Sequence, residues 1–304
     1  MNVQQCYRYI VQQPRVRKMI ISNRVIRDIA WKFVAGETLE AGLEAVRDLN
    51  SQGIQGLLNY VGQHVLDGDE AIARTESTIE SIKRIAAEGL KAHISVKLTN
   101  VGLDAGENLC RHNLGRILAC AGAAGVFVWI DMEEYRYLSQ TLRLCEDMRS
   151  QYGVDSIGAV VQSYLRLNNP LPDLLRRGWR VRLVKGGYCE PRDVVYRKQT
   201  EVDEAFRHDI QLALSTGTYA AIATHDALFI ALVNSLAPAK SPHCRDVEFQ
   251  MLYGVREDLQ AHLVNEGYTV RSYVPYGADW QSYVMGCVRR EVSDMLSIPP
   301  AIRI

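Results

Sequence analysis

A chain of 304 residues, 47% hydrophobic and 23% charged, has the composition of a globular protein able to bury a sizeable core, which excludes a disordered chain. Lys plus Arg and Asp plus Glu both number 35, so there is no overall basic field to hold nucleic acid and no acidic tail. The longest apolar runs, such as 125–130, are far too short to span a bilayer, so any membrane contact is expected to be peripheral.

Residues 1–6 lack a signal-peptide h-region, and the basic stretch 15–27 reads as the solvated face of a helix leading into the first barrel element. Seven cysteines, at 6, 110, 120, 145, 189, 244 and 287, form no C-x-x-C pair, so neither a disulfide framework nor a metal site is expected. A reducing, cytoplasmic location is expected with them. Eight short apolar or β-branched runs then read as strands: 55–61, 93–98, 126–131, 157–163, 180–185, 219–224, 247–251 and 268–274. Segments of helical period lie between them, such as 70–90 with Ile72, Ile79, Ile82 and Ile85 near turn spacing, and another marked by Leu138, Leu142 and Cys145. Eight alternations of strand and helix predict an α/β fold, a (β/α)8 TIM-type barrel, rather than an open sheet. No linker rich in Gly, Pro or Ser breaks the pattern, so one domain over 1–304 with a helical N-terminal arm over about 1–50 is expected.

Several strands end in groups that do not belong in the aliphatic centre expected of a barrel: Lys97, Asp131, Gln162, Arg182 with Lys185, Thr224 with His225, and Tyr273. Any one of them alone reads equally well as a satisfied core group or a helix cap. Together, at the carboxyl ends where barrel enzymes carry their working groups, they read as an active site. His64 and His93 stand near barrel ends without the spacing of a metal site.

The segment Val181-Arg-Leu-Val-Lys-Gly-Gly-Tyr188 resembles the strand and turn Arg-Leu-Val-Lys-Gly-Ala-Tyr of the proline dehydrogenase family. Ala223-Thr-His-Asp226, Phe249-Gln-Met-Leu-Tyr-Gly254 and Tyr273-Val-Pro-Tyr-Gly-Ala-Asp-Trp280 follow in the family's order, preceded by Phe33-Val-Ala-Gly-Glu-Thr-Leu39 and Ile94-Ser-Val-Lys-Leu98. The resemblance covers roughly residues 15–295, and the joint spacing of these strings carries it. It implies a distorted barrel with FAD over the carboxyl ends of the strands, oxidising L-proline to the cyclic imine and passing electrons to a quinone. By the same resemblance Arg182 approaches the reactive flavin nitrogen, and Lys185, Gly186 and Gly187 form the turn that holds the cofactor. Thr224 and His225 are implied as a further FAD contact, and Gln162 lies beside the isoalloxazine ring. Asp131 matches the carboxylate at the end of the third strand, and Lys97 the lysine that helps hold the substrate carboxylate. Tyr188, Tyr273 and Tyr283 match aromatics that wall the proline ring. A fixed guanidinium suits a ring edge that gains negative charge on reduction.

The chain departs from the family's last helix, Tyr-x-x-Arg-Arg-x-x-Glu, whose arginine pair clamps the carboxylate of proline. Aligned without gaps, Gly286 and Cys287 take the pair's places and Arg290 that of the glutamate, while Gln63 stands where Gly-Glu is usual after the first strand. One reading rebuilds the clamp from Arg289 and Arg290, one helical turn further on. The other removes it, leaving Lys97 as the charged anchor and admitting a small amine that carries no free carboxylate. The expectation is an FAD-dependent amine dehydrogenase with specificity altered from free L-proline, passing electrons to a quinone or to oxygen. The alternatives are an L-proline dehydrogenase proper and a non-catalytic flavin- or partner-binding barrel. Cys189 and Cys287 read as small apolar fillers rather than nucleophiles.

Overall fold

Successive side chains of a strand point to opposite faces, and in this protein the two faces differ in chemistry. The computed structural model describes residues 31–62, 64–153, 156–239, 241–281 and 283–284. The basic stretch 15–27, Gln63, Gly286, Cys287, Arg289 and Arg290 therefore lie outside the described residues. Eight strands, β1 (Gln55–Tyr60), β2 (Ala92–Val96), β3 (Val128–Ile130), β4 (Ile157–Gln162), β5 (Val181–Val184), β6 (Ala220–Ala223), β7 (Val247–Leu252) and β8 (Thr269–Tyr276), close into a barrel in chain order. Every pairing is parallel, including that of β1 with β8. The expected (β/α)8 architecture is thus present, with strand ends displaced by a few residues; β3 is the shortest, three residues against the six expected.

Helix α1 (Leu39–Ser51) precedes β1, and one α-helix follows each of the first seven strands: α2 (Gly68–Ala87), α3 (Glu107–Ala124), α4 (Leu138–Tyr152), α5 (Leu171–Arg176), α6 (Gln199–Ser215), α7 (Ala227–Leu236) and α8 (Glu257–Glu266). Side-chain caps start several of them: Thr38 accepts from the amide of Ala41, Asp67 from that of Glu70 and Asp226 from that of Leu228. The outward faces of the strands, with Leu58, Ile94, Val128, Val161, Leu183 and Phe249, share one large core with helix residues such as Val46, Ile82, Leu114 and Phe206. Among the described residues no helix is long and apolar enough to cross a membrane.

The inward faces correct the expectation of an aliphatic centre. Leu57, Phe127, Trp129 and Ala221 form a small apolar group there, with Tyr219 and Tyr273 against it. Gly158 makes room for it, since a Cβ at that position would lie 2.6 Å from the Trp129 ring. Toward the amino ends of the strands the interior is ionic: Arg271 and Glu248, 2% and 0% exposed, are 3.1 Å apart. The arginine also donates to the carbonyl of Gly56 at 2.9 Å and to Gln55 Oε1 at 2.7 Å, and Tyr219 donates to Glu248 at 2.6 Å. An ion pair survives this burial because its remaining donors and acceptors are also met. Arg271→Met leaves the Glu248 charge buried alone and is expected to destabilise the fold by about 3–5 kcal/mol, whereas adding Glu248→Leu recovers most of that loss. Denaturant unfolding of the two variants checks this; equal losses would refute it.

Two imidazoles are kept neutral by the fold. Burial, helped by the neighbouring Arg271, pulls His93 from the usual range to about 3; burial, helped by Arg256, pulls His225 to about 4, and His225 Nε2 accepts the amide of Leu252 at 2.9 Å. The unfolded chain protonates its histidines near pH 6.5. Between that pH and about 4 the unfolded state binds the extra proton of His225, so its contribution to stability falls as pH is lowered through this window. His225→Gln retains an acceptor for the Leu252 amide without titrating. The urea midpoint of this variant is expected to decline less steeply from pH 6.5 to about 4 than that of the parent; an unchanged slope counts against the assignment.

Candidate active site

The carboxyl ends of four strands converge on one carboxylate. Asp131 follows β3 directly and Lys97 follows β2; Arg182 lies inside β5 and Tyr273 inside β8, both on the inward face. Lys97 Nζ donates to Asp131 Oδ2 at 2.7 Å, the Tyr273 hydroxyl to the same oxygen at 3.0 Å, and Lys97 Nζ also to the Tyr273 hydroxyl at 3.3 Å. Ser95 Oγ donates to Asp131 Oδ1 at 2.5 Å, and Arg182 Nη2 makes a close ion pair with that oxygen. The Arg182 guanidinium lies 5.8 Å from the centre of the Trp129 ring and 5.7 Å from that of Tyr273, within cation–π range of both.

Electrostatics lock this cluster in its charged form. Burial works to raise the Asp131 carboxyl, but Lys97 and Arg182 beside it hold it well below the usual carboxylate range. Burial likewise works to lower Lys97, and Asp131 more than reverses that, leaving the ammonium above its usual value. One carboxylate against an ammonium and a guanidinium leaves the cluster with a net positive charge. Such a field favours an anion, or a group gaining negative charge, and disfavours a second cation.

Around this centre stand other residues singled out from the sequence. The ring of Tyr283 stacks on Tyr273, centroids 6.4 Å apart and planes within 15°. Tyr188, half-buried on the loop after β5, has its hydroxyl pushed up by burial and feels the charges of Lys97, Glu133 and Asp131. Gln162, the last residue of β4, donates to the carbonyl of Met132 at 3.1 Å. A second group forms to one side. Lys185 Nζ pairs with Asp203 at 2.7 Å and Asp226 at 3.3 Å, and Thr224 Oγ1 accepts the Asp226 amide at 3.1 Å. Gly186 adopts φ +105°, and a Cβ there would run into the ring of Tyr164, so this turn requires glycine at 186; Gly187 follows it. His225 is committed to the Leu252 amide. Cys189 is exposed, which corrects its reading as a packed filler.

Other participants escaped the sequence analysis. Glu133, 1% exposed, accepts from the amide and hydroxyl of Thr99 at 3.1 and 2.5 Å and so ties the loop carrying Lys97 to the loop carrying Asp131. Burial pushes its carboxyl up, against the hydrogen bonds from Thr99. Ser95 and Trp129 were missed, although each stands two residues before a predicted site residue and so on the same strand face. His64, with φ 57°, reaches Asp104 at 2.9 Å and Glu134 at 3.2 Å and joins three loops at this end of the barrel. Among the described residues no three His, Cys, Asp or Glu side chains gather as a metal site.

Comparison with known proteins identifies the family. The family model described as "Proline dehydrogenase" matches residues 42–284. "Proline dehydrogenase 2" of Bacillus subtilis (strain 168) is 37% identical over 260 residues, 85% of each chain, and "Proline dehydrogenase" of Deinococcus radiodurans is 35% identical over 281 residues, 90% of this chain and 89% of that one. Among solved structures, proline utilization A from Bdellovibrio bacteriovorus, inactivated by N-propargylglycine, superposes with a TM-score of 0.79 at 22% identity, over 93% of this chain and 34% of its own, a likeness of fold. The chain belongs to the proline dehydrogenase family.

Proposed function

We propose that this protein is an FAD-dependent L-proline dehydrogenase, acting as one barrel domain with an N-terminal arm and converting proline to 1-pyrroline-5-carboxylate. The observation that carries the reading is the net positive Lys97–Asp131–Arg182 cluster under Tyr273 and Tyr283 at the carboxyl end of the barrel. Altered specificity, the leading expectation from sequence, gives way here to proline itself, because the curated relatives at 35–37% identity that match over most of both chains are proline dehydrogenases by name.

The residues present suit a flavin. Gln162 Oε1 and Arg182 Nε are buried polar atoms without a protein partner, an acceptor and a donor at the same end of the barrel. Gln162, Arg182, Lys185, Gly186, Gly187, Thr224 and His225 would hold the cofactor. A bound flavin supplies a two-electron acceptor for hydride. The Arg182 guanidinium, braced by Asp131, stabilises negative charge developing beside it. Lys97 attracts the substrate carboxylate while Asp131 keeps the ammonium in place. The same field disfavours an ammonium on the substrate, so the neutral amine, whose lone pair assists hydride departure, is the bound form. Tyr188, Tyr273 and Tyr283 offer flat apolar contact to the ring. Electrons pass on to a quinone, with oxygen the competing acceptor, in a cytoplasmic protein that meets a membrane only at its surface.

A second reading rests on Gly286 and Cys287, which replace the family's arginine pair. Under it the substrate lacks a free carboxylate. Anaerobic mixing of the yellow protein with L-proline, pyrrolidine or L-proline methyl ester separates the cases. Under the first reading proline bleaches the flavin fastest, and Arg289→Ala or Arg290→Ala raises its KM about 10- to 100-fold, as expected for a charged hydrogen bond worth about 1.5–3 kcal/mol. Faster reduction by the ester or by pyrrolidine, with both variants silent, selects the second. A flavin that dithionite reduces and none of these amines does would leave a binding protein.

A further inference from the structure

Arg182 is held from above by Asp131, but its guanidinium also has a partner below. Arg182 Nη1 donates to Gln250 Oε1 at 3.4 Å, and Gln250 Nε2 donates to Glu248 Oε1 at 2.5 Å. Glu248 in turn takes Arg271 Nε at 3.2 Å and the Tyr219 hydroxyl at 2.6 Å. The column thus runs from the ion pair at the amino end of the barrel to the site at the carboxyl end. All its members except Tyr219 are at most 5% exposed. Burial works to raise the Glu248 carboxyl, and Arg271 overrides it, so the group is an ionised, acceptor-only neighbour. A guanidinium is donor-only. Between these two the Gln250 amide has one orientation that satisfies both, nitrogen toward Glu248 and oxygen toward Arg182.

We propose that Gln250 is a positioning residue for Arg182: with its amide polarised by the Glu248–Arg271 pair, it fixes the guanidinium at the height and tilt from which Arg182 stabilises the reduced cofactor. Asp131, Lys97 and Tyr273 set the upper side of Arg182; Gln250 sets the lower, and Ser95 Oγ contacts both guanidinium nitrogens Nη1 and Nη2 at 3.4 Å. In a low-dielectric interior a neutral acceptor locked in one orientation holds a charge without neutralising it. A second carboxylate at this position would cancel the field that the reaction uses. The proposal rests on the reading that Arg182 faces the flavin.

The test uses the full-length flavoprotein and three variants, Gln250→Met, Glu248→Gln and Arg182→Met, with the two-electron midpoint potential of the bound flavin as first readout and steady-state kinetics with L-proline as second. Gln250→Met fills the same space without an acceptor. It is expected to lower the potential by about 30 mV, the two-electron equivalent of a tenfold weaker stabilisation of the reduced state. It is also expected to lower kcat about tenfold while KM for proline stays within about twofold. Glu248→Gln, which frees the Gln250 amide to turn over, should move the potential in the same direction by a smaller amount, and it serves as the deciding variant if Gln250→Met does not fold. A shift in Arg182→Met with none in Gln250→Met or, where that chain does not fold, in Glu248→Gln overturns the proposal and leaves the flavin reading intact. No shift in Arg182→Met overturns both, and a parent protein that takes up no flavin removes the reading on which the proposal rests.

Discussion

Two cations do not share a buried space unless an anion stands between them. Lys97 approaches from the end of β2 and Arg182 from β5, and the carboxylate of Asp131 gives one oxygen to each. In general, an ammonium and a guanidinium about 4 Å apart at an effective dielectric of about 20 repel by roughly 4 kcal/mol. Removing the anion would drive one cation out or neutralise the lysine. The Asp131 carboxylate is in turn aimed by Ser95 and Tyr273. Four strands therefore hold their relative heights through one side chain, and β3 ends just before it.

The need for charge at the top of the barrel explains the polar interior beneath it. A guanidinium presents more donors than Asp131 can accept, and while Arg182 Nε has no protein partner, Nη1 finds oxygen in the barrel wall. Gln250 supplies it and is itself fixed by Glu248, which Arg271 keeps ionised. Trp129, Leu57 and Ala221 fill the space beside this column, and Gly158 yields the volume that the indole occupies. The apolar core has moved to the outer faces of the strands, where Ile94, Val128, Val161 and Leu183 meet the helices.

How much of this was legible follows from which signal each residue carries. The strands show as β-branched and aliphatic runs because their outward faces are continuous with the core, and that pattern survives in any register. The strand-end residues Lys97, Asp131 and Gln162 were readable as polar groups closing an apolar run. Arg182 and Lys185 were grouped together from sequence, yet they are an odd number of positions apart and diverge: Arg182 enters the barrel, whereas Lys185 pairs with Asp203 and Asp226. Glu248, Gln250 and Arg271 were passed over because they sit within runs assigned as core. Their signal was the alternation itself, a polar residue at every second place in Glu248-x-Gln250 and again at Arg271-x-Tyr273. Partnership across strands, as between Glu248 and Arg271 or Glu133 and Thr99, leaves no trace in a single sequence.

The same charge arithmetic bears on the departure at Gly286 and Cys287. A guanidinium pair gives a carboxylate two things, attraction and a fixed bidentate geometry. The attraction does not depend on that pair alone, since Lys97 and Arg182 outnumber Asp131 and their field acts on any anion at the mouth of the barrel. The geometry does depend on it, because an ammonium is a point charge that imposes no plane on its partner. Under the reading in which glycine and cysteine take that pair's places and no other arginine does its work, a carboxylate would lose orientation more than attraction.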